Sequence, residues 1–139
     1  MSTTTTSTHT ATIAELYAAF GRGDVPMVLE YLSDDISWDH GLRTNDLPWM
    51  QPRTGKQQVE EFFGILAQGM SLSVFDPQVI AGDGDTVVAV IRIAGSIISN
   101  GNPVEEDLLV HLWTFDADGK VATFRHIGDL AREEIPFRG

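Results

Sequence analysis

Apolar residues recur every three or four positions as far as Gly69, and alternate or run together in β-branched stretches beyond it. Such a switch of period demands helices first and a meander of strands after, an α+β plan. Thr12-Ile13-Ala14-Glu15 reads as a capping box, and Ile13, Leu16, Tyr17 and Phe20 follow at i, i+3, i+4 and i+7. Gly21 and Gly23 end that helix, and Asp24 caps a short second one with Pro26 in its first turn. Ile36 to His40 reads as a short strand, and 42–52 as a loop carrying Pro48, Trp49 and Met50. Thr54 starts a third helix, with Val59, Phe62, Phe63 and Leu66 on its apolar stripe and Gly69 at its end.

Strands account for the rest. One is interrupted at Pro77, and a long run from Thr86 to Ser99 is followed, after Asn100-Gly101, by a return from Val104 to Phe115. Asp116-Ala117-Asp118-Gly119 turns into a last strand, Lys120 to Ile127. These elements predict one domain over 12–132, a disordered Ser/Thr-rich tail over 1–11 and a C-terminal tail over 133–139.

Register carries the reading toward chemistry, because residues two apart on a strand share a face. If Asn100-Gly101 is a two-residue loop, His111 lies opposite Val90 and Arg92 opposite Leu109, so Asp107, Leu109, His111 and Trp113 project together. If Asp118-Gly119 is a two-residue loop, His111 faces His126 directly; a four-residue loop leaves them diagonal on the same face. A lone histidine in an apolar strand is ordinarily a hydrogen-bonded core residue, but two on one face flanked by Trp113 and Phe124 form a chemical lead. Arg92 reads first as an exposed outer-face charge at a sheet edge or dimer surface, and second as a pocket residue.

Composition narrows the function. The 139 residues hold no Cys, which removes disulfides, thiolate ligands and thiol nucleophiles. Twenty Asp+Glu against nine Lys+Arg give a net charge of −11, a poor match to nucleic acid or an anionic membrane surface. The N-terminal Ser/Thr run lacks the basic and apolar parts of a targeting segment, so a cytoplasmic protein is expected.

Three strings carry a resemblance. "IAELYAAFGRGDVPMVLEYLSDDISWD" at 13–39, "RTGKQQVEEFF" at 53–63 and "DGKVATFRHIGD" at 118–129 resemble SnoaL-like polyketide cyclases and ketosteroid isomerase-like proteins. Both belong to the nuclear transport factor 2-like fold. The resemblance implies a cone-like curved sheet, antiparallel or mixed, wrapped around three N-terminal helices, with an apolar pocket and a homodimeric assembly. It also implies departures from the family pattern. The isomerases' oxyanion-stabilising Tyr falls at Leu16, their general-base Asp at His40 beside Asp39, and their second oxyanion acid at His111. His126 takes the position of the SnoaL-type acid/base Asp, and Arg92 lacks the partner acid of an epoxide-hydrolase arrangement.

Three of the four histidines thus fall on positions that serve chemistry in similar proteins. The leading expectation is a cofactor-independent, metal-free acid/base enzyme (an isomerase, aldol-type cyclase or dehydratase) acting on a small apolar cyclic or polyketide-like molecule. His40 would take a proton with Asp39 orienting it, and His111 and His126 would stabilise or reprotonate an enolate oxygen. Leu16, Phe20, Trp38, Phe62, Trp113, Phe124 and Arg92 would contact the substrate. Two rivals remain: a non-catalytic small-molecule-binding or dimerisation module with the same pocket, and a metal site of three His with or without Asp39.

Overall fold

The computed structural model describes residues 3–40 and 43–139; Met1, Ser2 and the first loop residue, Leu42, lie outside that description, as does Gly41. The chain runs α1 (Thr3–Gly21), α2 (Val25–Glu30), β1 (Leu32–His40), β2 (Arg53–Thr54), α3 (Lys56–Gly69), β3 (Met70–Asp83), β4 (Thr86–Ile97), β5 (Pro103–Phe115), β6 (Val121–Ile127) and α4 (Ala131–Arg138). Six strands form one open, curved sheet in the order β2-β1-β6-β5-β4-β3. It is mixed: β1 runs parallel to β6, and every other neighbouring pair is antiparallel. The core joins Ile13, Leu16 and Tyr17 of α1 and Val59, Phe62 and Phe63 of α3 to inward residues of β1, β4, β5 and β6. Among the described residues no helix is long and apolar enough to cross a membrane.

Both predicted tails are corrected by contacts that local sequence does not encode. The described part of 1–11 is helical, and Thr12, the expected cap, sits inside α1 with its hydroxyl donating to the Thr8 carbonyl at 3.0 Å. What holds this Thr-rich turn down is tertiary. His9 stacks on Phe115 with ring centroids 3.9 Å apart, and its Nε2 lies 3.1 Å from Asp85 Oδ1. A close approach adds to this, since a Cβ on Gly82 of β3 would stand 2.9 Å from Thr6 and 3.0 Å from Thr10. At the other end, 131–138 form α4, whose Glu133 and Glu134 are buried. Arg43 pairs with Glu134, Arg138 bonds Asp46 at 2.9 Å, and Asn102 donates to the Pro136 carbonyl at 3.0 Å.

The β4–β5 register also departs from expectation. Ile97 and Asn102 close the hairpin, with Ile97 N–H donating to the Asn102 carbonyl at 2.8 Å and Gly101 N–H to the Ile97 carbonyl at 2.7 Å. The loop therefore holds four residues, with Gly101 at φ +74°. Farther along, Ile93 faces Glu106 while Ile91 faces Leu109, so β5 spends one extra residue in a bulge. His111 consequently lies opposite Ala89, and Asp107 leaves the face shared by Leu109, His111 and Trp113. The helix expected from Thr54 starts at Lys56 instead, because Thr54 pairs with Ser37 and Gly55 turns the chain at φ +87°.

Candidate active site

Register brings three histidines into line. His40 on β1 pairs with His126 on β6, and His126 pairs with His111 on β5. Ring centroids are 5.4 Å apart between His40 and His126, and 5.3 Å between His126 and His111. A second row lies two residues along the same strands. Trp38, Phe124 and Trp113 pack with centroids 4.1 and 4.5 Å apart. Both rows line a cavity of about 80 Å³. Leu16 and Phe20 of α1 and Phe62 of α3 line it as well. No Lys or Arg does.

Two expected residues lie elsewhere. Asp39 alternates with His40 along β1, pairs with Arg125 and is only half-buried, so it neither reaches the cavity nor orients His40 from within it. The β5 bulge turns Arg92 outward, where it meets Asp107 at 3.3 Å and Glu105 at 3.7 Å. Arg92 is half-buried on β4, an interior strand, so it lies outside the cavity and away from either edge of the sheet.

The hydrogen bonds of the row assign its protons. Trp113 Nε1–H donates to the Tyr17 hydroxyl oxygen at 3.0 Å, and Tyr17 spends its single hydrogen on His111 Nδ1 at 2.8 Å. The neutral His111 ring then carries its hydrogen on Nε2. His40 has the opposite polarity, since its Nδ1–H points at the Gln51 carbonyl at 3.4 Å and leaves Nε2 with the lone pair. The wall therefore offers one imidazole acceptor and one imidazole donor, with His126 between them.

Burial keeps these rings neutral. Loss of water pulls His40 down to about 4, only partly opposed by the Gln51 carbonyl. It takes His111 to about 3, with His40 adding to the effect, and pushes His126 well below the usual range, with both other rings contributing. Burial also raises the Tyr17 hydroxyl above its ordinary value, so Tyr17 stays a donor.

Glu133, assigned by sequence to a tail, lines the same cavity. Trp49 Nε1–H donates to its Oε1 at 2.8 Å, and its Oε2 stands 4.0 Å from His126 Nε2. Glu106 joins it from β5 and accepts the Asp129 N–H at 3.0 Å. Burial and the Glu106 charge push Glu133 up to about 8, and burial raises Glu106 too. Among the described residues, Glu106, His126 and Glu133 are the group whose side chains could converge on a cation, with their ligand atoms within 4.8 Å of one another. Tyr17, Met50 and Glu133 are cavity residues that sequence reasoning did not place there. Tyr17 had left a signal in the apolar stripe it shares with Leu16 and Phe20, and α4 in Asp129 followed by Glu133-Glu134: Asp129 Oδ1 does accept the Ala131 N–H at 3.2 Å.

The profile of the SnoaL-like domain matches residues 13–124. Among solved structures, a nuclear transport factor 2-like protein of unknown function from Burkholderia pseudomallei is 24% identical with a TM-score of 0.82, over 94% of this chain and 98% of that one. TerC, crystallised with polyporic acid, is 23% identical with a TM-score of 0.79, over 94% and 98%. A candidate polyketide cyclase from Xanthomonas campestris pv. campestris is 17% identical with a TM-score of 0.77, over 96% and 98%. At these identities the likeness is one of fold. No curated protein matches the chain by sequence.

Proposed function

Because the chain belongs to the SnoaL-like domain family, we propose that it is an acid/base enzyme that enolises a small, uncharged, apolar cyclic ketone of polyketide-like character. The observation that carries this reading is the opposed polarity of His40 and His111 on one cavity wall. His40 Nε2 takes a proton from the carbon next to the ligand carbonyl, and His111 Nε2–H donates to the oxygen on which negative charge grows. Tyr17 and Trp113 hold the His111 ring in that tautomer. A base near pKa 4 is as weak as a carboxylate, yet adequate where an oxyanion donor lowers the acidity gap. Among the described residues no Lys or Arg lines the cavity to pair with a carboxylate or phosphate, so the reading takes an uncharged ligand. Isomerisation, aldol-type cyclisation and dehydration share this first step and differ in what the enol does next.

The test is α-hydrogen exchange in D2O, followed by proton NMR, over a panel of uncharged cyclic ketones of one to three rings. The wild-type protein should accelerate exchange of at least one of them. His40→Asn should slow that exchange about 10²-fold or more, and His111→Phe by about 10². Tight binding without exchange would favour the binding-module reading, and exchange unaffected by both substitutions would refute the assignment.

A further inference from the structure

The proton transfer above leaves two buried carboxyls without a task. Glu106 and Glu133 are each about 2% exposed and come from β5 and α4 to meet behind His126. One oxygen of each is fixed by an N–H donor: Glu133 Oε1 by the Trp49 indole and Glu106 Oε1 by the Asp129 amide. The remaining atoms are short of partners. Glu106 Oε2 and His126 Nε2 are buried with none, and Glu133 Oε2 is 4.0 Å from His126 Nε2.

The charges around this cluster do not neutralise it. Arg43 and Arg138 pair with Glu134, and Arg132 pairs with Asp129 at 3.7 Å. Two carboxylates this close, out of water and without a countercharge of their own, cannot both stay ionised. One proton must remain. The Trp49 and Asp129 donors occupy the outer oxygens, which leaves that proton on the side facing the other carboxyl and the imidazole.

We infer that Glu106 and Glu133 act as one acid, a carboxyl pair that keeps a single proton behind His126 and passes it through that ring to a ligand oxygen in the cavity. The inference rests on the enolising reading. As His40 takes the proton from carbon, the Glu133 O–H bond breaks and His126 Nε2–H forms; the His126 Nδ1–H bond breaks and the ligand O–H forms. His126 ends neutral with its hydrogen on the other nitrogen. The negative charge gained by the pair matches the positive charge gained by His40, so the cavity's net charge is unchanged. Glu106 is a positioning residue, since its charge holds the proton on Glu133. The ligand class narrows accordingly to ketones that arrive neutral, because the pair's resident charge repels a preformed enolate.

The groups that face Glu133 are Glu106 from β5 and His126 from β6, with Asp129 and Arg132 beside Glu106. Of these, the Glu106 charge acts with burial to keep Glu133 protonated until about pH 8.

Infrared difference spectra of the wild-type chain against Glu133→Gln and Glu106→Gln, after dialysis against chelator, read the proton directly. At pH 7 the wild type should show a carboxylic-acid C=O band that vanishes near pH 8. Glu133→Gln should lack it, and Glu106→Gln should lose it at lower pH. Glu133→Gln should also slow α-exchange about 10²-fold. No protonated carboxyl at pH 7 overturns the inference, and so does a band accompanied by unchanged exchange in Glu133→Gln. A stoichiometric metal ion, whose removal creates the band, overturns it in favour of a cation site. Because His40→Asn leaves the pair intact, a normal band with unchanged exchange in that variant refutes the His40 base and not the stored proton.

Discussion

Acidification should unfold this protein through its histidine row, and the size of the effect follows from burial. An unfolded histidine takes up a proton below pH 6.5, whereas native His40 stays neutral until about 4 and His111 until about 3. A folded pKa below the unfolded one contributes stability that is complete above 6.5 and is lost as pH falls toward the folded value. Between pH 7 and pH 5 the unfolded chain gains about 0.7 proton at each ring while the native chain gains almost none. At about 1.4 kcal/mol per pKa unit, the interval from 6.5 to 5 costs about 2 kcal/mol for each histidine. His40 and His111 together cost about 4 kcal/mol, and burial of His126 acts in the same direction.

The buried carboxyls act in the opposite sense over this range, since Glu133 keeps its proton in the native state up to about pH 8. Comparison with His40→Asn removes that complication, because the carboxyl contributions are common to both proteins. Asn also retains an N–H for the Gln51 carbonyl that His40 bonds. Urea unfolding at pH 7 and pH 5, monitored through the three tryptophans, gives the stability change for each protein. The wild-type loss should exceed that of His40→Asn by about 2 kcal/mol. An equal loss in both would mean that His40 already titrates normally in the native state. That outcome would refute the burial argument and the neutral, hydrogen-bonded row with it.

Glu133 predicts the mirror image at alkaline pH. Its folded pKa is raised, so its contribution is lost as pH rises through about 8; wild type should lose about 3 kcal/mol between pH 6 and 9 in urea titrations, and Glu133→Gln should not. Tyr17→Phe strands the Trp113 N–H and His111 Nδ1, and should cost about 1–3 kcal/mol by the same measurement. His9→Ala should cost about 1 kcal/mol and speed amide hydrogen exchange in the first turns of α1, whereas an unattached tail would show neither effect. Gly95→Ala places a Cβ 2.2 Å from the Ser71 carbonyl oxygen; it should cost about 3 kcal/mol and raise the unfolding rate.

The cross-strand pair His111–His126 is expected from an even-length turn after Phe115, yet it forms by another route. Phe115 faces Val121 across an odd-length connection, and one extra residue in β6 between Val121 and Thr123 restores the parity that pairs the two rings. His40 completed the row only through the parallel pairing of β1 with β6, which joins strands some 80 residues apart. No local pattern encodes that pairing, and the fold resemblance supplied it. Arg92 failed for the converse reason. Its predicted face depended on an unbroken register from Asn100-Gly101, and one extra residue between Glu106 and Leu109 was enough to reverse it.

The two ends of the chain failed through propensity. A run of Ser and Thr is neutral at best for helix, and α4 has eight residues with Pro136 among them, so local preference favours a tail in both places. What folds α4 is the set of bonds it makes to distant elements, and the most buried of these is the one from the Trp49 indole to Glu133. That bond has a consequence for the site. A short helix with so little intrinsic stability gives up its ordering entropy only when docked, yet docking buries an acidic side chain, which is costly for an ion. The cost falls sharply if the carboxyl is neutral, as the pair with Glu106 allows. Docking of α4 and retention of the proton are therefore one equilibrium: whatever ionises Glu133 also loosens the segment that closes this wall of the cavity. The alkaline loss of stability should accordingly begin at α4, and amide exchange at 131–138 should rise near pH 8 before the sheet responds. Simultaneous exchange of α4 and β5 would show instead that the helix is held by Arg43, Arg138 and Phe137 alone, with Glu133 a passenger.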